Sequence, residues 1–453
     1  MLTLRKSTLK LPSEAIRMRY ISTHGKSTAD LRGAVAQCFA PDGGLYMPEN
    51  IPILPKAFFN NIEEMNVREI AYVVVTTLLG ADFEAAGLKA VVDATFSVPM
   101  PVKDLRDGLS VLELHGGPTL AFKDFGARFL AELITRFPVN DGQRHIDLVA
   151  TTGNTGAAIA NAFAQKKNHD VVVLFPRGAL TRSQQAQFTT LGPNIHAVEV
   201  GGTISQCKRL VVEAVSDSEL SSLFVPVCVN TSNILRLLPQ VVFFFHIYSR
   251  LKASGTHAEN FNVAVPCGNL SNLVAAVTAK RMGLPIGKIV AACTANDDFV
   301  RVMAGDLAPD KVNVNSRHTL AWAMDSGYPT NLWRVLSLYG GDIEAARRDI
   351  VAISVSDDEI AGAITRELEL SGYMADPHTA VALAAIDAAV LPVGSHNVAL
   401  STAHPAKSLD TMTAITGRAI ELPLQLTRFM TNGVVPAKLP PTYPALKKYL
   451  MKL

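Results

Sequence analysis

Lys123 sits between two phenylalanines in the run Gly117-Pro118-Thr119-Leu120-Ala121-Phe122-Lys123-Asp124-Phe125-Gly126. It opens a stretch in which Phe125, Phe129 and Leu130 recur at helical spacing. A lysine placed there meets the positive end of a helix dipole and apolar neighbours. Both disfavour the ammonium and push its pKa down toward that of a usable amine, which suits a lysine that forms a Schiff base with a carbonyl compound. Taken alone, the simpler assignment is a stem that covers phenylalanine while its head reaches water beside Asp124. The company it keeps decides for chemistry.

Thr151-Thr152-Gly153-Asn154-Thr155-Gly156 follows a β-branched run and opens a helix, so it offers backbone N–H groups and an amide to an anion or phenolate. A plain strand-to-helix turn needs glycine as well, and this segment alone reads equally either way. Gly268-Asn269-Leu270-Ser271-Asn272 lies between the strand ending at Val265 and a helix from Leu273, the arrangement of a phosphate cup. Its alternative is a helix capped by Ser271 or Asn272. Asn230-Thr231-Ser232-Asn233 with Arg236 is a second amide-rich turn, fit either to grip another phosphate or to cap a helix before a surface arginine.

Other chemistries lack their signatures. There is no G-x-G-x-x-G or G-x-x-x-x-G-K-[ST], so neither nicotinamide nor ATP is indicated. No H-E-x-x-H or close His/Cys pair suggests a metal, and no Gly-x-Ser-x-Gly elbow suggests a serine hydrolase. His378 and His404 read as structural or substrate-facing. Cys38, Cys207, Cys228, Cys267 and Cys293 are odd in number and scattered, as expected of reduced, mostly buried thiols. Lys plus Arg (42) nearly balance Asp plus Glu (40), which leaves no surface for nucleic acid. The densest apolar run, Val241 to Phe245, is interrupted at His246 and suits a buried helix better than a membrane span. These features fit a cytoplasmic globular enzyme.

The elements that position these residues follow from periodicity. With 453 residues, 48% of them hydrophobic, the chain has enough apolar material for two or three packed units. Arg5, Lys6, Lys10, Arg17 and Arg19 against Glu14 make residues 1–17 a basic tail, or a transit peptide, before Met18. Residues 18–105 are expected to form a mainly helical N-terminal domain, with helical patterns prevailing from 60 to 135. Ile146 to Ala150, Val171 to Phe175, Phe261 to Val265 and Asn397 to Leu400 are strands, each followed by a turn, the first and third of these turns leading into helices; such alternation makes parallel sheets. The expected division is a small mobile α/β domain over 146–234 and a large one over 106–145 and 235–453.

In this order, the motifs resemble the threonine synthases of the bacterial and fungal type, within the fold type II pyridoxal-phosphate enzymes. The likeness rests on Gly117 to Gly126, Ala150 to Ala158, Pro176-Arg-Gly178, Gly268-Asn269, Ala323-Met-Asp325, Asp376 to Ala380 and Thr402-Ala-His-Pro-Ala-Lys407. It implies an α/β, tryptophan synthase β-like fold with parallel-sheet domains and a helical N-terminal domain. It also implies pyridoxal 5′-phosphate as cofactor and conversion of O-phospho-L-homoserine and water to L-threonine and phosphate by a monomer or homodimer.

By the same resemblance Lys123 holds the cofactor covalently and moves the α-proton, and Asn154 meets the phenolic oxygen. Gly268, Asn269, Leu270, Ser271 and Asn272 take the cofactor phosphate, and Thr402 faces the pyridine nitrogen. Thr119, Thr152, Thr155, Asn230, Asn233 and Arg236 are implied to meet the substrate. No metal is expected.

Several departures fall inside matching motifs. Gly116 stands where this family usually has histidine, with His115 one place earlier. Ser271 and Asn272 replace a common Gly and Asp, and Asn154 replaces an Asp. Ser271 brings a β-carbon into the cup, which matters if that position needs a positive φ. Three alternatives remain open: a phospho-lyase releasing 2-oxobutyrate, a non-catalytic relative that binds cofactor or metabolite, and a β-replacement or dehydratase enzyme of the same fold.

Overall fold

The computed structural model describes residues 18–453 apart from 81, 137–142, 257, 314 and 430–432, so the basic tail expected over 1–17 lies outside the described residues. The N-terminal unit is built on the helix Val67–Leu79. A reciprocal cap between Asn66 and Glu69 starts it, and it turns Ile70, Ala71, Val74, Val75 and Leu78 into the core. This unit also carries a small antiparallel sheet of Tyr20–Ser22, Thr28–Ala29 and Tyr46–Pro48, which the expectation of a mainly helical domain missed.

Between 60 and 135 the helical pattern is broken by a hairpin, Val102–Arg106 with Leu109–Glu113. Its turn is Asp107-Gly108, with Gly108 at φ 70°, and such a pair suits a tight reversal that a helix cannot make. The second hairpin strand enters a six-stranded sheet. The strand order is Ile350–Ser354, Ile286–Cys293, Phe261–Pro266, Asn397–Ser401, Leu109–Glu113 and Val102–Arg106, parallel except for the hairpin pair.

A second sheet, parallel throughout, runs Ala437–Leu439, Ile195–Val200, His169–Pro176, His145–Ala150 and Val225–Cys228. Helices cover both of its faces, so His145–Ala150 is buried at every position and shows no alternation. The expected division needs one correction here. Ala437–Leu439 is the edge strand of this smaller sheet, and the helix Tyr443–Leu450 sends Leu446 and Leu450 into a core shared with Cys207, Leu210 and Val211. The end of the chain therefore closes the small unit, although 235–453 was assigned whole to the large one. Lys447 Nζ donates to Asp217 at 2.7 Å and the Tyr443 hydroxyl donates to the same carboxylate, which fixes the helix in place.

The helical run Ile234–Ala253 is long and apolar enough to cross a membrane by length and composition, but 89% of its window is buried inside the protein. Val241 to Phe245 are each fully buried, so this is a core helix. All five cysteines are buried free thiols.

Candidate active site

Lys123 is the first residue of the helix Lys123–Arg136. The turn before it is held by the opposite end of the chain. Phe122 N–H donates to Thr402 C=O at 2.9 Å, His404 N–H donates to Leu120 C=O at 3.1 Å, and Ala121 and Ala403 form an antiparallel bridge. Leu120 takes φ 55° to make the turn. Asp124 does not pair with Lys123. Its buried carboxylate accepts from Thr119 N–H at 2.9 Å and from the Thr119 hydroxyl at 2.6 Å.

Lys123 makes no hydrogen bond to a described residue, and its Nζ lies 4.8 Å from the centroid of the Phe122 ring. Burial, then the positive charges of Arg236 and Lys208, lower its pKa to about 7. The lowered amine expected from the sequence is present, with neighbouring cations as an additional cause.

Gly153 precedes the helix Asn154–Phe163 at φ 128°, and a β-carbon there would come within 3.1 Å of the Trp322 ring. Only glycine fits this backbone. The turn offers fewer free N–H groups than its sequence suggests, because Thr151 Oγ1 accepts from both Gly153 and Gly156 at 2.9 Å. Asn154 is buried, and among the described residues neither its Oδ1 nor its Nδ2 has a hydrogen-bond partner. Thr152 and Thr155 stay half-buried.

The Gly268 to Asn272 segment is a cup, with no side-chain cap. The residue before the helix Ser271–Arg281 is Leu270, in left-handed conformation with φ 60°. The first bond of the helix runs from Val274 N–H to Leu270 C=O, so the N–H groups of Ser271, Asn272 and Leu273 precede the ladder. Ser271 itself has no positive φ, so its β-carbon imposes no strain. Gly268 is pressed against Met324, whose carbonyl oxygen would lie 2.7 Å from any β-carbon added there.

Asn269 spends its amide on Thr231 (2.8 Å) and on Thr330 N–H (2.7 Å), leaving only its backbone for a ligand. Asn272 Nδ2 donates to Gln240 Oε1 at 3.0 Å, while its buried Oδ1 has no partner. His378, between Asp376 and Ala323 N–H, braces the wall beside Met324. His378 is thus structural, and the half-buried His404 accepts at Nδ1 from Ala406 N–H at 3.1 Å.

Four of the residues implied to meet substrate have their side chains committed elsewhere. Thr119 is fully buried on Asp124. Asn230 clamps the backbone of Ala150 with both ends of its amide, at 3.0 and 2.8 Å. Asn233 is fully buried and donates to Val35 C=O, Cys38 Sγ and Cys228 C=O. Arg236 is 1% exposed, donates to Val229 C=O at 2.7 Å, and leaves Nε without a partner. Its positive charge helps lower the Lys123 pKa.

Sequence reasoning also passed over residues of the site. Lys208, on the helix Ile204–Val215, has a pKa lowered by burial to about 8, yet its helical spacing reads as surface. Lys407, lowered by burial to about 8, donates to Thr119 C=O at 2.7 Å and Gln187 at 2.9 Å, and its place in the Thr402 to Lys407 motif was the available signal. A cleft of about 1530 Å³ opens beside this region, lined among others by Thr152, Trp322, Arg182, Arg317 and Lys407.

The uncapped helix start, the space-restricted Gly268, the unpaired Asn154 amide and the lowered, unpaired Lys123 all suit a phosphate-bearing aldehyde. Parallel α/β sheets around such a set define the class of pyridoxal-phosphate-dependent enzymes, and the family described as pyridoxal-phosphate dependent enzyme matches residues 105–402. The threonine synthase N terminus family matches residues 19–96.

The chain is 34% identical to threonine synthase of Serratia marcescens, over 93% of this chain and 96% of that one. It is 32% identical to the enzyme of Schizosaccharomyces pombe, over 86% and 88%. The solved Escherichia coli threonine synthase superposes with a TM-score of 0.89 at 31% identity, covering 96% of this chain and 100% of that one. The pyridoxal-phosphate-bound threonine synthase of Brucella melitensis gives 0.86 at 29% identity, covering 96% and 99%. The chain belongs to the threonine synthase family of pyridoxal-phosphate-dependent lyases, and it acts on a small molecule.

Proposed function

We propose that the protein converts O-phospho-L-homoserine and water to L-threonine and phosphate. The observation that carries this reading is a surplus of positive charge. Arg236 and Lys208 act electrostatically on Lys123, and none of the three bonds to a carboxylate among the described residues; Asp124, the carboxylate that acts on Arg236, is held by Thr119. Buried charges are normally paired, so a site built this way is completed by anionic ligands. The cofactor and the substrate would bring one phosphate each.

When bound, pyridoxal 5′-phosphate supplies an electron sink for negative charge at the substrate α-carbon. The protein groups do the rest. The N–H groups from Gly268 to Asn272 would hold the cofactor phosphate, and Asn154 would offer its amide to the phenolic oxygen. The Thr402 hydroxyl would serve the ring nitrogen without the full charge a carboxylate would bring. Lys123, with a pKa of about 7, is available as neutral amine near neutral pH and takes the α-proton. It then carries protons while phosphate departs from the γ-carbon and water adds at the β-carbon. Thr152 and Thr155 contact the substrate, whereas Thr119, Asn230 and Asn233 fix the backbone around it.

The small sheet, with the chain end included, moves as one unit over the large one in this reading, and the enzyme works in the cytoplasm as a monomer or homodimer. Incubation of purified protein with O-phospho-L-homoserine tests the proposal. Equal amounts of threonine and phosphate are expected; 2-oxobutyrate and ammonia would indicate a phospho-lyase, and no phosphate release a binding protein.

A further inference from the structure

We propose that Lys208 is the receiving cation for a phosphate dianion in the cavity beside the cofactor cup, and that the phosphate it receives is the substrate's. This inference rests on the phosphorylated substrate proposed above. Of the two cations that act on Lys123, Arg236 and Lys208, only Lys208 combines spare donors with an open cavity. Arg236 is sealed in the core, and Lys407 is engaged by Thr119 C=O and Gln187. Lys208 Nζ makes one bond to a described group, to Ser326 Oγ at 3.3 Å. An ammonium has three donors, so two point to no protein acceptor.

The cavity, about 240 Å³, is lined by Lys208, Arg209, Asn230, Ser232, Asn269 and Thr330 among others, with no aspartate or glutamate; the Arg209 guanidinium is engaged by Glu213 and Pro441 C=O. The nearest acid in sequence to Ser326 is Asp325, whose carboxylate is turned away to Thr319 and Asn296. Position ties the cavity to the chemistry. Asn269 belongs to the cup, Asn230 clamps the strand end that feeds the Thr151 to Gly156 turn, and the Lys208 charge is felt by Lys123. A half-buried ammonium facing neutral amides and hydroxyls is poorly solvated, and an incoming dianion supplies the missing acceptors. The amine also titrates in the working range: with burial holding its pKa at about 8, the site is charged at neutral pH and loses its charge above that value.

The test uses holoenzyme and the variants Lys208→Gln and Lys208→Arg, with the cofactor absorption band and thermal midpoint as checks on folding. Inorganic phosphate is titrated calorimetrically, and KM and kcat are measured with O-phospho-L-homoserine. Removing one charge-assisted contact is expected to weaken phosphate binding and raise KM by roughly ten- to hundredfold. Lys208→Arg should retain most of both. In the wild type, phosphate affinity should fall above pH 8, and in Lys208→Gln that step should vanish.

Unchanged phosphate affinity and KM in Lys208→Gln overturn the proposal. Lost phosphate affinity with an unchanged KM assigns the cavity to free phosphate and overturns the substrate assignment. If wild-type enzyme releases no phosphate from O-phospho-L-homoserine, the substrate reading fails separately, and the calorimetric comparison still decides whether Lys208 binds the anion.

Discussion

Phe122 donates its backbone N–H to the carbonyl of Thr402 at 2.9 Å, so the residue before the lysine proposed to hold the cofactor and the residue proposed to face its ring nitrogen share one hydrogen bond. Strand Asn397–Ser401 ends at that point, and the bridge Ala121 to Ala403 extends the contact. The lysine is thereby placed by the end of an interior strand of the large sheet, and the two proposed cofactor contacts are tied together. Thr402→Asp should keep this backbone bond and the fold while lowering turnover by more than tenfold, on the order of what one misplaced charge costs in a site tuned for a neutral donor. Thermal midpoint and kcat measured together check it; unchanged turnover would remove Thr402 from the site.

Lys123→Ala should abolish covalent cofactor attachment, and borohydride reduction of the wild type should tag Lys123 alone. The cofactor-free protein gives a second readout. Lys123, Lys208 and Lys407 are lowered from 10.5 to about 7, 8 and 8. Across the interval up to the ordinary lysine value the unfolded chain binds more protons than the folded one, so stability must rise with pH there. The melting temperature of cofactor-free protein should therefore climb from pH 7 to 9, and Lys123→Met should flatten the climb. A midpoint falling over that interval would contradict the lowered amines.

Gly268→Ala should weaken cofactor binding without unfolding the protein. The added carbon would sit 2.7 Å from Met324 oxygen and 2.8 Å from Met324 Cα, both backbone atoms that cannot swing aside. The cup must open, and its N–H groups lose their convergence. A cofactor dissociation constant at least about tenfold higher is expected, since one misaligned charge-assisted hydrogen bond is worth that much. Absorbance after exhaustive dialysis measures it, and full occupancy would mean that the cup tolerates the carbon.

What the sequence made legible was local. The glycine-punctuated turns at 151–156 and 268–272 stand where strands meet helices, because such turns announce themselves in composition. The lowered amine of Lys123 follows from its place among phenylalanines at a helix start, while its chemical assignment rests on the accompanying motifs. Partners that act across the fold were not. Asn233 and Arg236 share a turn that looks ready for an anion, but Asn233 is consumed by Val35, Cys38 and Cys228, contacts that no spacing encodes. Lys208 reads as a solvated helix residue until the Tyr328 to Thr330 segment is folded over it. The strand Ala437–Leu439 is three residues long, too short for a periodic signal, and its place beside Ile195–Val200 is a matter of topology.

That last strand leads to a stability prediction. Leu446 is fully buried on the helix that closes the small unit, and Leu446→Ala should cost about 2–4 kcal/mol by cavity formation. The loss should be local. Limited proteolysis should cut faster within 146–228 and the C-terminal segment, while the large sheet stays resistant. Uniform cleavage of both sheets would mean that the two units unfold as one.

Arg236 gives the sharpest contrast between the two ways of reading its motif. As a substrate ligand, its loss would raise KM and leave the ionisation of Lys123 alone. The structure gives it 1% exposure, a bond to Val229 C=O and a charge that helps lower Lys123. Removing a positive neighbour makes the Lys123 ammonium easier to hold once substrate has freed the amine, so its pKa rises and the acidic limb of the kcat profile moves to higher pH. Arg236→Met, which fills most of the volume, is the useful variant. Arg236→Ala also opens a cavity and strands the Val229 carbonyl, a combination expected to cost about 3–5 kcal/mol of stability. Arg236→Met should shift the limb upward while KM at its optimum pH changes less than about threefold, well under the loss of a direct charged contact. An unshifted limb with a large rise in KM would return Arg236 to the substrate phosphate, and would require its guanidinium to leave the core when substrate binds.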